Sequence, residues 1–272
     1  MADPAAAHAP VPVAGAEKRL LQLRGVTMQF GGVTALGEVD LHVAEGEIAG
    51  LIGPNGAGKT TVFNVVTGVF QPTSGEIEFA GRSIVGKKRY QVTKAGIART
   101  FQNIRLFPDM TALENVMVGA DAHHRTSIPG AMLRLPRHRH EERAGRDRAA
   151  ELLELVGIPH RADETARNLP YGDQRRVEIA RALATAPKLL LLDEPAAGFN
   201  PREKRSLSDL IRKVRDSGYT ILLIEHDMGL VMNICDRIAV LDFGRKIAEG
   251  LPSEIQANER VINAYLGVVA DA

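Results

Sequence analysis

A glycine-rich segment directly after a run of apolar residues constrains the fold of this chain more than any other feature. The apolar run ends at Ile52, and GPNGAGKT then matches the phosphate-loop pattern G-x-x-x-x-G-K-[ST] at every position. Such a loop needs a buried strand before it and a helix after it, and the apolar-faced segment that follows predicts that helix. The motif indicates an α/β fold that binds a nucleotide, but kinases, GTPases, helicases and transport ATPases all use it.

The loop residues have the chemistry that a triphosphate requires. Glycines permit positive φ angles, so that successive N–H groups can surround anionic oxygens at the positive end of the next helix. We expect Lys59 to neutralise β- and γ-phosphate charge, Thr60 to ligate Mg²⁺ and Thr61 to lie beside the α-phosphate. A chance glycine-rich turn is the alternative, and the flanking strand and helix disfavour it. The predicted nucleotide-binding residues are Gly53, Pro54, Asn55, Gly56, Ala57, Gly58, Lys59, Thr60 and Thr61.

Two later apolar runs end in polar residues that suit hydrolysis. KLLLLDEP puts Asp193 and Glu194 at the carboxyl end of a buried strand, where α/β sheets bind ligands. We expect Asp193 to hold magnesium through water, and Glu194 to orient or deprotonate the water that attacks the γ-phosphate. TILLIEHD brings His226 to the same edge as a γ-phosphate sensor, and the amphipathic segment 201–216 between the two runs predicts parallel strands. An ordinary acidic turn and a surface histidine are the alternatives.

The chain changes character along its length. A β-rich stretch gives way, near Gln102, to helical spacing from Thr111 to about Ala184, before the strand pattern returns. Gln102 is predicted to touch the metal or its water, the alternative being a plain polar loop residue. We therefore predict a disordered tail over residues 1–18 and one nucleotide-binding domain over 19–272. Within that domain we expect a helical subdomain at roughly 103–184 and a C-terminal helix at roughly 253–266, starting with a Ser253–Gln256 capping box.

Composition and charge exclude several partners. Lysine and arginine total 34 against 33 acidic residues, so no global field attracts nucleic acid, and no nucleic-acid partner is predicted. One cysteine fits a reducing cytosol, and the apolar runs are too short to cross a bilayer.

The stretch 121–148 contains many arginines, but no aromatic residues suited to stacking on bases. We predict that it is a solvated or lipid-headgroup-facing loop and not a metal site, despite its histidines His123, His124, His138 and His140.

The motifs and their order along the chain resemble those of the ATP-binding cassette (ABC) family over nearly all of residues 20–266. The order is the phosphate loop, Gln102, a signature segment, the acidic strand end and His226. The resemblance implies an α/β P-loop NTPase (RecA-like) core with a β-rich N-terminal subdomain and an inserted α-helical subdomain. It also implies Mg-dependent ATP hydrolysis, with ATP and Mg²⁺ as cofactors. Phe30 lies where an aromatic residue of the family stacks on adenine, although it also fits an edge-strand core position.

The signature is LPYGDQRRVEIARAL, residues 169–183, which resembles the family's L-S-G-G-Q and the basic helix after it. In the family this segment contacts ATP held by the phosphate loop of an opposing subunit. The resemblance places that contact on Tyr171, Gly172, Asp173 and Gln174. Pro170 replaces the serine and lacks both a hydroxyl and an amide hydrogen, so one contact worth roughly 1.5 to 3 kcal/mol is absent and hydrolysis there is expected to be slowed. Asn200, in AAGFNP, replaces the usual aspartate of the loop that crosses between subunits.

Within the family, the segments around these motifs look most like ATPases of branched-chain and hydrophobic amino-acid importers. This similarity implies a second, related but non-identical ATPase, two transmembrane permease subunits and, indirectly, a periplasmic binding protein. It implies a peripheral position on the cytoplasmic face of the inner membrane. Two alternatives stay open: a regulatory half that mainly binds ATP, and an importer of urea or another small polar solute. Cassette ATPases of DNA repair or translation are disfavoured, since they generally carry two cassettes or long coiled-coil insertions.

Overall fold

Two β-sheets of different kinds build the core. The computed structural model describes residues 18–121 and 136–266, with side chains from residue 140 onward in the second range. The first sheet is antiparallel, in the order β2-β1-β4-β5. Its strands are β1 (Arg19–Phe30), β2 (Val33–Ala44), β4 (Ser74–Phe79) and β5 (Arg82–Ser83). The predicted β-rich start of the chain corresponds to this sheet and the strand that follows β2.

The second sheet carries the ligand-binding edge. Its order is β10-β9-β3-β8-β7-β6, with all pairs parallel except the edge pair β10–β9. Every residue of β3, β7 and β8 is buried, which explains why these strands read as continuous apolar runs. The predicted parallel pairing of the runs before Asp193 and Glu225 is confirmed by the β7–β8 register. The strands are β3 (Ile48–Ile52), β6 (Ile97–Arg99), β7 (Leu189–Asp193), β8 (Thr220–Ile224), β9 (Arg237–Asp242) and β10 (Arg245–Gly250).

The second sheet lies between two apolar clusters. On β7, Leu189 and Leu191 join the antiparallel sheet and the first two helices, whereas Leu190 and Leu192 join later helices, including those of the helical lobe. The period of two in a strand sends alternate side chains to opposite faces, so one strand serves both clusters. The core helices are α1 (Lys59–Val66), α2 (Arg89–Ala95), α6 (Pro201–Asp216) and α7 (Met228–Ile234).

A helical lobe is inserted between β6 and β7. Thr111 caps its first helix by accepting a hydrogen bond from the Glu114 N–H (3.1 Å), and its last helix ends at Ala184. Both positions agree with the helical spacing of the sequence. The lobe comprises α3 (Ala112–Ala120), α4 (Pro136–Leu155), 3₁₀ turns at Pro159–Arg161 and Ala166–Asn168, and α5 (Tyr171–Ala184).

The C-terminal region differs from the prediction of one helix at 253–266. It contains two short helices, α8 (Pro252–Gln256) and α9 (Glu259–Leu266). The predicted Ser253–Gln256 capping box is wrong, because Glu254 accepts the hydrogen bond from the Leu251 N–H (2.8 Å). Asn258 then accepts the Arg260 N–H (3.0 Å) and starts a new helix, so the chain turns between the two.

The His/Arg-rich stretch also differs from the predicted loop in its second half. Helix α4 begins at Pro136, so residues 136–148 are helical. The side chains of His123, His124 and His138, and residues 1–17 of the predicted tail, lie outside the described residues. Across the described ranges, no three His, Cys, Asp or Glu side chains group as a metal site, and no helix is long and apolar enough to span a membrane.

Candidate functional site

The phosphate loop connects β3 to α1 at the centre of the parallel sheet. Its glycines have the predicted positive φ angles, which are 151° at Gly53, 82° at Gly56 and 99° at Gly58. A Cβ atom on Gly53 would lie 2.1 Å from the Leu241 carbonyl oxygen, so the neighbouring strand leaves no room for a side chain. Glycine is therefore required here by backbone packing as well as by φ.

Lys59 begins α1 and is almost fully buried. Its ammonium group donates hydrogen bonds to the carbonyl oxygens of Gly53 (2.7 Å) and Pro54 (2.9 Å), so it lies across the start of the loop. Burial lowers the pKa of Lys59, and the nearby charges of Glu194 and Asp193 oppose that shift. The loop thus holds a positive charge on the buried Lys59 ammonium group, and such a charge suits an anion.

A cavity of about 470 Å³ opens over the loop. Predicted residues that line it are Asn55, Gly56, Ala57, Gly58, Lys59, Thr60, Thr61 and Glu194. Gly53 and Pro54 stand behind them, holding Lys59. Five further lining residues were not predicted: Val33, Thr34, Ala35, Phe243 and Gly244. This volume lies in the usual range for small-molecule sites, and it combines the loop with one acidic side chain.

Asp193 ends β7 and is buried, with 5% of its surface exposed. Arg99 donates a hydrogen bond to its Oδ2 (2.7 Å) and another to Asn64 Oδ1 (2.8 Å). Arg99 was not predicted, and its guanidinium also lies over the Phe63 ring at 5.4 Å. One carboxylate oxygen of Asp193 is thus held by an arginine, while both oxygens are acceptors that suit a hard cation such as Mg²⁺.

Glu194 follows with a φ of 46°, an uncommon value for a residue with a side chain. Its N–H donates to the Ile224 carbonyl (2.9 Å) on the neighbouring strand. Gln102 Nε2 donates to Glu194 Oε2 (2.8 Å), and His226 Nδ1 lies 3.6 Å from the same oxygen. Gln102 and His226, both predicted for hydrolysis, therefore lie beside the Glu194 carboxylate, which lines the same cavity as Lys59.

Glu225 is a second buried carboxylate at this edge that the sequence reasoning missed. Its two oxygens accept hydrogen bonds from the N–H groups of Ala196 (2.8 Å), His226 (3.1 Å) and Asp227 (3.4 Å). Burial raises the pKa of Glu225, and these N–H donors oppose that rise. Glu225 thus links the segment after Glu194 to His226. The only sequence signal for this role is the position of Glu225 directly before His226 in IEHD.

The signature segment lies at the start of α5, apart from the loop cavity. Tyr171 packs edge-on against Phe199 with ring centroids 5.8 Å apart. Asp173 is ion-paired with Arg161 (Nε to Oδ2, 3.4 Å). Gly172 and Asp173 line a smaller cavity of about 220 Å³ beside α6, and Gln174 Nε2 bonds the Leu169 carbonyl (2.9 Å). Within one chain, these residues do not meet the phosphate loop.

Phe30 and Asn200 occupy positions with clear local contacts. Phe30 ends β1, is 42% exposed and makes an edge-on contact with Phe70 at 5.0 Å between ring centroids. It does not line the loop cavity but leaves an aromatic face accessible near the start of β2. Asn200 accepts hydrogen bonds from the N–H groups of Arg202 (2.9 Å) and Glu203 (3.0 Å), so in this chain it caps α6.

Comparison with known proteins gives matches along nearly the whole chain. The family model described as ABC transporter matches residues 36–197, and the one described as branched-chain amino acid ATP-binding cassette transporter matches residues 245–271. The chain is 49% identical to the high-affinity branched-chain amino acid transport ATP-binding protein LivG of Salmonella typhimurium, over 91% of this chain and 98% of that protein.

Two solved structures show the same architecture. An ATP-binding cassette of an ABC transporter in its ADP conformation is 32% identical with a TM-score of 0.80, over 92% of this chain and 99% of that one. A dimeric cassette in a post-hydrolysis state, bound to ADP and Pi, is 29% identical with a TM-score of 0.71, over 85% and 98% of the two chains.

Proposed function

Because this chain belongs to the ABC transporter family, we propose that it is the ATP-hydrolysing subunit of an importer for branched-chain amino acids. The observation that carries the hydrolytic part is that Glu194 lines the same cavity as Lys59, Thr60 and Thr61. A carboxylate that faces a phosphate-binding loop can serve the water that attacks a γ-phosphate. The amino-acid part is supported by relatives that are named as branched-chain amino acid transport ATP-binding proteins.

ATP would bind with its phosphates over the loop. The N–H groups of residues 55–61 would surround the phosphate oxygens, and Lys59 would move its ammonium group from the carbonyls of Gly53 and Pro54 toward the β- and γ-phosphates. The exposed ring of Phe30 would stack on adenine. Binding and orientation of the triphosphate thus come mainly from the backbone.

Glu194 would orient or deprotonate the attacking water. Gln102 already donates to its Oε2, so the carboxylate is held in one orientation before the nucleotide arrives. His226, at 3.6 Å, is placed to hydrogen-bond the water or the departing phosphate. A general base of this kind typically contributes about 10²- to 10⁴-fold to a rate.

The residues predicted to hold magnesium fit the ion by their chemistry. Thr60 lines the cavity and supplies a hydroxyl, while Asp193 and Gln102, which precede and contact the lining residue Glu194, supply a carboxylate and an amide oxygen. All three are hard ligands, and Mg²⁺ commonly takes only one or two protein ligands beside phosphate and water. When bound, the ion neutralises phosphate charge. The Arg99 contact leaves Asp193 oriented for this role.

A second ATPase subunit would complete the site. The signature residues of this chain lie apart from its own loop cavity, which supports a role toward the nucleotide of an opposing subunit, and related cassettes form dimers. Arg161 pairs with Asp173 (3.4 Å) but more closely with Glu164 (2.6 Å), so it offsets only part of the negative charge that this signature brings toward that nucleotide. Pro170 still lacks the serine contact, which favours a non-identical partner with the intact signature.

A groove between the helical lobe and the core suits docking of a transmembrane permease. It has a volume of about 540 Å³, and its rim includes the exposed rings of Phe101 and Phe107 beside Arg105. Accessible aromatic and arginine side chains are typical of protein interfaces. Two permeases docked on two ATPases would place this chain on the cytoplasmic face of the inner membrane, with a periplasmic binding protein delivering solute from the other side.

Uptake by the assembled transporter tests this function. With the chain, its partner ATPase and the permeases in proteoliposomes, we expect ATP-dependent uptake of labelled leucine that excess valine or isoleucine inhibits and urea does not. ATP-driven uptake of urea without leucine uptake would contradict the proposed solute. A purified single chain that hydrolyses ATP at the rate of the full complex would argue against a non-identical partner.

A further inference from the structure

One arginine of α5 is completely buried and contacts the loop that carries Gln102. Arg175 has 0% of its surface exposed. Its Nη1 donates to the Phe101 carbonyl (2.6 Å), and its Nη2 donates to the Gln102 carbonyl (2.7 Å). No residue from 101 to 107 lies in a helix or strand, so these bonds are a principal restraint on the position of that segment.

Glu178, one turn along α5, completes the contact. It is 2% exposed, its Oε2 accepts from Arg175 Nη1 (2.7 Å), and its Oε1 accepts from the Phe101 N–H (3.3 Å). Two charged side chains thus hold two carbonyls and one N–H of adjacent residues. Burying an ion pair is expensive, and apolar side chains of similar size would join two elements at lower cost. The pair therefore favours fixed geometry more than stability.

The contacts form a continuous path to the hydrolytic carboxylate. Arg175 also approaches the Tyr171 hydroxyl (3.3 Å) in the first turn of α5. At the other end, the side chain of Gln102, whose carbonyl Arg175 holds, donates to Glu194 (2.8 Å). Three direct contacts thus join the signature segment to Glu194 within one chain.

We propose that Arg175 and Glu178 are a positioning pair that fixes Gln102 against Glu194 and transmits movements of the signature helix to the hydrolytic site. The inference rests on the proposed function, since it assigns a consequence to the signature contact with the nucleotide of the opposing subunit. When that nucleotide draws the start of α5 into place, the pair places Gln102, and through it Glu194. The Glu194 carboxylate of this chain is thereby set by occupation of the opposing subunit's loop.

The alternative is that the pair only joins the helical lobe to the core. An arginine of α4 offers a matched control outside the signature segment. Arg148 donates to the Tyr219 hydroxyl (2.9 Å), so it also joins the helical lobe to the core, but it has no hydrogen bond to residues 101–102. A joining role predicts similar effects at both positions, whereas a positioning role predicts an effect at Arg175 alone.

The test measures ATP hydrolysis by the assembled complex with Arg175→Lys or Arg148→Lys in this chain. Lysine keeps the charge beside Glu178 but does not bond two carbonyls in fixed geometry. For Arg175→Lys we expect kcat to fall about tenfold or more, as the loss of a charged hydrogen bond implies. We expect the KM for ATP in this variant, and both constants for Arg148→Lys, to stay within about twofold. Equal losses in the two variants would overturn the proposal.

A double-mutant cycle with Gln102→Ala supplies the decisive readout. If Arg175 acts through Gln102, Arg175→Lys has no further effect on kcat once Gln102→Ala is present. Multiplying losses would mean that Arg175 acts independently of Gln102, and the proposal would fail.

Further variants keep the test interpretable. If Arg175→Lys does not fold, Glu178→Gln replaces it, because the amide still accepts from the Phe101 N–H but weakens the hold on Arg175. The same cycle with Gln102→Ala then applies. A wild-type complex without ATPase activity would overturn the proposed function itself, whereas active wild type with unaffected variants would overturn only the positioning pair.

Discussion

Alanine at position 53 would place a methyl group 2.1 Å from the Leu241 carbonyl oxygen. Cβ atoms in proteins essentially never approach a non-bonded heavy atom within 3.0 Å. Strand β9 or the loop would therefore have to move by about 0.9 Å, and such overpacking typically costs about 1–3 kcal/mol. The positive φ of Gly53 adds roughly 1–3 kcal/mol of backbone strain. Together we expect Gly53→Ala to lower the free energy of unfolding by about 4 kcal/mol.

Gly56→Ala is the matched control in the same loop. Its φ is also positive, at 82°, but a Cβ atom there would meet nothing within 4 Å. Only backbone strain remains, so we expect a loss of about 1–2 kcal/mol. The two variants should therefore differ by about 2–3 kcal/mol, and most of the difference comes from the contact with Leu241.

Urea denaturation of the nucleotide-free chain measures this difference. The chain has no tryptophan, so far-UV circular dichroism is the suitable signal. With an m-value of about 3 kcal/mol/M, the midpoint of Gly53→Ala should lie about 1 M below that of Gly56→Ala. Equal midpoints would mean that β9 does not confine the first glycine of the loop, and they would contradict this prediction.

Two further predictions concern the neighbourhood of the site. The Lys204 ammonium and the Leu230 N–H hold the pKa of Asp227 below its ordinary value. The stability contributed by this carboxylate is therefore present above an unfolded pKa of about 3.9 and is lost as the pH falls through the lower folded pKa. Asparagine also caps helices, so Asp227→Asn should lower the free energy of unfolding at pH 7 by only about 0.5–1 kcal/mol. Urea titrations at several pH values should show that this difference from wild type shrinks below about pH 4. A difference that stays constant with pH would contradict the ion pair. If Phe30 stacks on adenine, Phe30→Ala should raise the calorimetric Kd for Mg-ATP about tenfold, whereas Phe30→Tyr should have little effect. The Kd of Phe30→Ala for inorganic triphosphate, which has no base, should not change. Equal losses of affinity for both ligands would exclude stacking.

Local sequence pattern predicted the parts of the molecule that local physics determines. The apolar runs ending at Ile52, Leu192 and Ile224 became central parallel strands, because strands buried on both faces need continuous apolar residues. Residues directly after these runs then had to meet at one edge of the sheet. The proximity of Lys59 and Glu194 followed from these two rules.

Contacts between distant residues were not predictable in the same way. Arg99 pairs with Asp193 across 94 positions, and Arg175 reaches Gln102 across 73, so no periodicity or short motif indicates them. The prediction of a single C-terminal helix was wrong for a different reason. Its helical spacing was continuous, but Asn258 offered a second cap that competed with the predicted single helix.

Glu194→Gln in the assembled complex tests the central claim, that Glu194 serves the hydrolytic water beside the phosphate loop. Glutamine keeps the size of the side chain and an oxygen that can accept from Gln102, but it cannot take a proton. We expect the Kd for Mg-ATP to stay within about threefold of the wild-type value while turnover falls by roughly a hundredfold or more. Turnover near the wild-type rate, with Mg-ATP bound normally, would contradict it.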